Sequence, residues 1–81
     1  MTAFRVELFA RYAELLGAEE VALELPTPVT VSMVTDALRA LPGGEVLPAR
    51  PVLARNLRIA APADTIEPGD LLALLPPLAG G

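Results

Sequence analysis

No cysteine and no histidine occur anywhere in the 81 residues. The first absence removes disulfides, thiol nucleophiles and thiolate metal sites. The second removes the side chain that most often serves as a general base near neutral pH and as an imidazole ligand. An enzyme that works alone is therefore not expected. Lysine is missing too: all six basic residues are arginines, scattered at positions 5, 11, 39, 50, 55 and 58, and the formal net charge is −4. Phosphate backbones demand a clustered cationic surface, so nucleic acid is not an expected partner. No apolar run approaches the ~20 residues that would span a bilayer. The start Met1-Thr2-Ala3-Phe4-Arg5 lacks a basic region followed by an apolar segment and a cleavage site, which makes a cytoplasmic location the expectation.

What the chain does have is apolar side chains, at 53% of residues. In one small domain only about 60 to 65 per cent of the unfolded surface can be buried, so every element has to contribute to a single core. Residues 4–9 alternate, with Phe4, Val6 and Leu8 on one face and Arg5, Glu7 and Phe9 on the other, the period of a half-buried strand. Phe9 is the odd member. It either closes the strand end against the next turn or belongs to a contact surface. Tyr12, Leu15 and Leu16 share one side of a short helix that Gly17 ends, and residues 19–25 alternate again, with Val21, Leu23 and Leu25 inward. Pro26 and Pro28 stop that ladder.

Thr30 to Leu41 is the strongest helix. Thr30 or Ser32 can cap it; Val34, Ala37, Leu38 and Leu41 form the apolar stripe, while Thr35, Asp36 and Arg39 are expected in water. Pro42-Gly43-Gly44 ends it. Residues 42–51 hold three prolines and two glycines and are expected as loop. Val52 to Ala54 reads as a strand, Asn56 as a turn residue tolerant of positive φ, and Leu57 to Ile59 as a brief second strand. Ile66 is a candidate core anchor, and Pro68-Gly69 suits the centre of a type II turn. Strands on both sides of one dominant helix suggest α+β, with the helix across one face of a mixed sheet.

The end of the chain is unusual. Leu72 and Leu74 face one way and Leu71, Ala73 and Leu75 the other, so the final strand is apolar on both faces. Its second face either meets another protein or is shielded by loop 42–51. Beyond it run Pro76-Pro77-Leu78-Ala79-Gly80-Gly81, stiff at the prolines and slim at the glycines, with an extended reach of roughly 20 Å. Such a tail could enter a narrow channel; equally, many chain ends simply fray.

The first strand and helix, the segment Ala54-Arg55-Asn56, the Asp64 region leading to Gly69-Asp70, and the strand running into Pro-Pro-Leu-Ala-Gly-Gly together resemble the MoaD/ThiS sulfur carriers. The resemblance covers essentially the whole chain and is most specific over residues 69–81. Within the family the likeness is to the small subunit of molybdopterin synthase, since the length and Pro76-Pro77 favour it over the thiazole-pathway carriers. Leu74-Leu75 stand where aromatics are usual, and Ala79 where a hydroxyl residue is commoner. The resemblance implies a ubiquitin-like β-grasp fold over residues 1–75, with a four- to five-stranded sheet, one main helix and a flexible tail over residues 76–81. It also implies a chemistry for Gly81: adenylation of its carboxylate by an E1-like adenylyltransferase using ATP, conversion to a thiocarboxylate by a sulfur donor (a desulfurase or rhodanese-like protein), and delivery of sulfur to a pyranopterin precursor in the large catalytic subunit. By the same resemblance Phe9, Ile59 and Leu75 form the interface with that subunit, the tail is Pro76, Pro77, Leu78, Ala79 and Gly80, and the chain binds no metal or cofactor itself. Alternatives are a carrier for thiazole or tRNA thiolation, a ubiquitin-like modifier joined through Gly81, or a β-grasp interaction module with an inert tail.

Overall fold

The computed structural model describes residues 1–76; the expected tail residues Pro77, Leu78, Ala79, Gly80 and Gly81 lie outside the described residues. Strand β1 (Thr2–Leu8) buries Phe4, Val6 and Leu8 and pairs antiparallel with β2 (Glu20–Leu25), Phe4 opposite Leu23 and Val6 opposite Val21. The strand ends one residue earlier than the alternation suggests, because Phe9 becomes the N-terminal cap of helix α1 (Ala10–Leu16). Gly17, at φ 72°, terminates α1 and donates its N–H to the Ala13 carbonyl.

A two-residue strand, β3 (Val29–Thr30), leads into helix α2 (Val31–Arg39). The Thr30 hydroxyl accepts the Met33 N–H at 3.3 Å, so the expected cap is in place. The stripe on α2 differs from the expectation. Its fully covered positions are Val31, Val34, Thr35 and Leu38, the i, i+3, i+4, i+7 pattern begun three residues sooner. Polarity places Thr35 in water, yet it is only 8% exposed. Its hydroxyl donates to the Ser32 carbonyl at 3.1 Å, which satisfies the polar atom within the helix. Arg39 is likewise half-buried, with its Nε covered. Asp36 is exposed as expected.

The expected loop 42–51 contains a 3-10 turn (Gly44–Val46) that seats Leu47 in the core. Gly43-Gly44 does more than stop a helix: a β-carbon on Gly44 would lie 2.2 Å from the Leu38 carbonyl oxygen, and one on Gly43 2.8 Å from that of Leu15. Only bare backbone fits between the two helix ends.

Strands β4 (Val52–Arg55) and β5 (Arg58–Ile59) form a hairpin through Asn56-Leu57. Next comes β6 (Thr65–Ile66), which pairs with β3 in a separate two-stranded sheet and anchors Ile66 in the core. A turn with Gly69 at φ 88° and the Asp70 N–H on the Glu67 carbonyl then feeds β7 (Leu72–Leu75). The main sheet has the order β2-β1-β7-β4-β5. The last strand is thus its centre, parallel to β1 and antiparallel to β4. α2 closes the inner face; this is the mixed five-stranded sheet of a β-grasp.

Candidate functional site

The outer face of the sheet has two halves of different chemistry. Over β2 and β1 it carries Glu20, Ala22, Glu24 and Arg5, all exposed, with Arg5 and Glu20 paired at 3.1 Å. Over β7, β4 and β5 it is apolar. Period-two geometry sends Leu72 and Leu74 into the core and turns Leu71, Ala73 and Leu75 outward. Register then places Ala54 beside Ala73, and Ile59 beside Ala54. Two alanines side by side leave a hollow between larger neighbours. The result is a groove of about 260 Å³, with Ala54 and Ala73 in its lining, Leu71 and Leu75 along β7, Phe9, Leu57 and Ile59 around it, and Glu7 as its one charged member.

Phe9, Ile59 and Leu75, widely separated in sequence, therefore line one concavity. Phe9 is 44% and Ile59 70% exposed. Loop 42–51 does not cover this groove; its Pro48 and Arg50 instead meet Leu75, Val52 and Tyr12 at a smaller depression. Half-buried Pro76 follows Leu75 directly, so the chain leaves the sheet at one end of the groove.

Two features escaped the sequence reading. The first is Leu57, 87% exposed at the opposite end, where nothing but its position after Asn56 hinted at a surface role. The second is a polar clamp beneath it. The Arg55 Nε donates to Asp70 Oδ2 at 2.6 Å, the Asn56 amide to Asp70 Oδ1 at 3.1 Å, and the Glu67 N–H to Asp70 Oδ2 at 2.8 Å. Asn56 also exchanges bonds with Leu71, its N–H to the Leu71 carbonyl at 2.8 Å and the Leu71 N–H to its Oδ1 at 2.9 Å. Burial pushes the Asp70 carboxyl up, but hydrogen bonds from Arg55, the Glu67 N–H and Asn56 outweigh it and hold the group below the usual carboxylate value. The bond to Asp70 raises Arg55 against the opposing effect of desolvation. This clamp ties the β4–β5 turn to the entry of β7.

Other conventional sites lack support. The first three N–H groups of α2 are already taken, by the Asp64 carbonyl, the Pro62 carbonyl and the Thr30 hydroxyl, so that helix start offers no anion cradle. Among the described residues no three acidic side chains gather to hold a metal, and no helix is long and apolar enough to cross a membrane.

A model of the ThiS family matches residues 6–81. The chain is 33% identical over 78 residues, 95% of its length and 81% of the relative's, to a molybdopterin synthase sulfur carrier subunit of Arabidopsis thaliana. It superposes on SAMP1 of Haloferax volcanii with a TM-score of 0.80 at 30% identity, covering 98% of this chain and 99% of that one. A putative molybdopterin converting factor subunit 1 of Pyrococcus furiosus gives 0.84 at 22% identity over 96% and 100% of the two chains. A chain from the complex of subunits 1 and 2 of the molybdopterin-converting factor of Helicobacter pylori gives 0.69 at 18% over 99% and 100%. The last two are likenesses of fold alone.

Proposed function

The chain belongs to the ThiS family, and from that premise we propose that it is a sulfur carrier, the small and non-catalytic subunit of a molybdopterin synthase acting in the cytoplasm. A free α-carboxylate has a pKa of about 3.5 and at neutral pH is an anion, a poor acyl donor. Activation is therefore the first requirement. An E1-like partner supplies it: a Gly81 carboxylate oxygen attacks the α-phosphorus of ATP, pyrophosphate leaves, and an acyl-adenylate forms. The outer sulfur of a persulfide-bearing donor then displaces AMP to form an acyl disulfide, and a thiol attacks the donor's own sulfur in that bond, releasing the thiocarboxylate and leaving a disulfide on the donor side. In the large subunit the thiocarboxylate sulfur forms a bond to a pyranopterin precursor on the way to the dithiolene, and water cleaves the resulting acyl–sulfur bond, so that Gly81 returns as a carboxylate. Gly80 and Gly81 carry no side chain to obstruct the nucleotide or the channel. ATP is bound by the activating partner, and acid, base and oxyanion groups come from the large subunit.

The observation that carries this reading is positional. The apolar groove containing Phe9, Ile59 and Leu75 ends where the chain departs at Pro76, in a protein whose family match runs on to Gly81. A partner seated on the groove lies within reach of the tail. To test the chemistry, the protein is incubated with ATP, the activating enzyme and a sulfur source, and its intact mass is measured. Replacement of one oxygen by sulfur at Gly81 is expected, and Gly81→Ala should fold normally but load or transfer poorly. Absence of the mass change under conditions that load a known carrier would overturn the proposal.

Similarity to SAMP1, a small archaeal modifier protein, favours a second reading in which Gly81 is joined to other proteins. With no lysine in the chain, conjugates would not grow lysine-linked chains of this protein. Slower-migrating conjugates in a cell extract would support that reading; sulfur transfer to the pterin without them would favour the first.

A further inference from the structure

The hairpin between β4 and β5 turns on two residues, Asn56 and Leu57, flanked by the Arg55–Arg58 pair. Both have positive φ, 52° and 70°, the signature of a type I′ turn. Asparagine suits the first position. The second ordinarily takes glycine, because a β-carbon there crowds the backbone, yet it holds leucine. That leucine gains nothing from the core: 87% of its surface is exposed, although it borders the groove. Nor is the turn free to relax, since Asn56 is bonded on both sides to Leu71 and through its amide to Asp70. The fold therefore holds the backbone of a solvent-exposed apolar residue in a conformation unfavourable to it. Strain of this kind is retained where the surrounding structure over-determines it, typically at contact sites.

From this geometry we infer that Leu57 is a second anchor of the docking face, inserting into an apolar socket on the large synthase subunit and fixing how far along β7 that subunit sits. The inference rests on the docking reading above. Leu71 and Leu75 mark the two ends of the groove, about 13 Å apart at strand spacing. Leu57 stands at the Leu71 end and the tail leaves at the Leu75 end. Five residues follow Pro76, an extended reach of about 17 Å, so the body on the groove has its sulfur-accepting centre within that distance of Pro76. A socket for Leu57 at the far end sets the register, and with it the depth to which Gly81 enters. Because the clamp has already ordered the turn, little backbone freedom is lost when the leucine is buried.

The test uses Leu57→Asn and Leu57→Gly, both tolerant of positive φ, with Leu75→Glu as a control. Each full-length variant is titrated calorimetrically into the purified large subunit of the same organism, and each is thermally unfolded alone. The Leu57 variants are expected to unfold at or close to the wild-type temperature, because relief of the turn offsets the lost leucine and the added chain freedom of glycine. They should nevertheless bind about tenfold or more weakly, the loss expected for a buried leucine. Wild-type affinity in both variants together with failure of Leu75→Glu would overturn the role of Leu57 and leave the docking face standing. No binding by the wild-type chain would overturn both readings. A clear drop in the unfolding temperature of Leu57→Asn would assign the leucine to the fold and overturn the inference.

Discussion

Single residues matter here chiefly where backbone meets backbone or where one carboxylate satisfies several donors. Gly44→Ala puts a methyl group against the Leu38 carbonyl, a neighbour that cannot rotate away. Chemical denaturation should show a loss of about 2 to 3 kcal/mol, the cost of overpacking a rigid site. Asp70 is a different case. Its ion pair with Arg55 is part-exposed and contributes little, but the carboxylate also accepts the Glu67 N–H and the Asn56 amide. Asp70→Asn should therefore destabilise at pH 7 by about 1 to 2 kcal/mol, mainly through those acceptors. Because the folded value lies below the unfolded one of about 3.9, this contribution is complete above that pH and disappears as the pH falls through the folded value. The gap between wild type and variant, measured by urea titration, should close below about pH 4. A constant gap would mean that the charge is irrelevant.

At the level of elements, α2 and β7 place everything else. Thr30→Ala removes the hydroxyl that receives the Met33 N–H and should cost about 1 kcal/mol in the same denaturation assay, with the binding face unaltered. Much of this architecture was legible in the chain. Alternation gave β1 and β2 because each has one face in the core, a short apolar run after a turn gave β7, and Gly17, Asn56 and Gly69 announced their turns through backbone freedom. The pairing of β3 with β6 was not legible, since two residues are too few to show a period and Pro26 and Pro28 precede the first of them. Thr35 was misplaced because polarity hides a methyl group that a helix can bury once the hydroxyl is bonded to its own backbone. Phe9 and Leu75 stood out at the groove as apolar residues out of pattern, and Ile59 through family likeness. Leu57 and the Asp70 clamp did not, because both depend on a hairpin meeting a loop about 15 residues away, which no local pattern encodes.

For the whole molecule, the division of the outer face into a charged half and an apolar half sets how partners approach. On the proposed reading a partner seats on the apolar half, and the exposed charges of the other half stay in water. The placement of β7 carries a further, mechanical consequence. On the proposed function, a partner drawing the chain end into its channel would pull along the axis of a strand flanked on both sides, by β1 running parallel and β4 antiparallel. Such a load acts on both ladders in shear, so their hydrogen bonds share it at once. Force applied through Thr2 and Leu25, which face each other across the open end of the β1–β2 pair, would instead part the bonds one by one. In single-molecule pulling, rupture between the two ends of the chain should require distinctly more force than rupture through residues 2 and 25. Equal forces would show that the central position of β7 gives no tensile advantage.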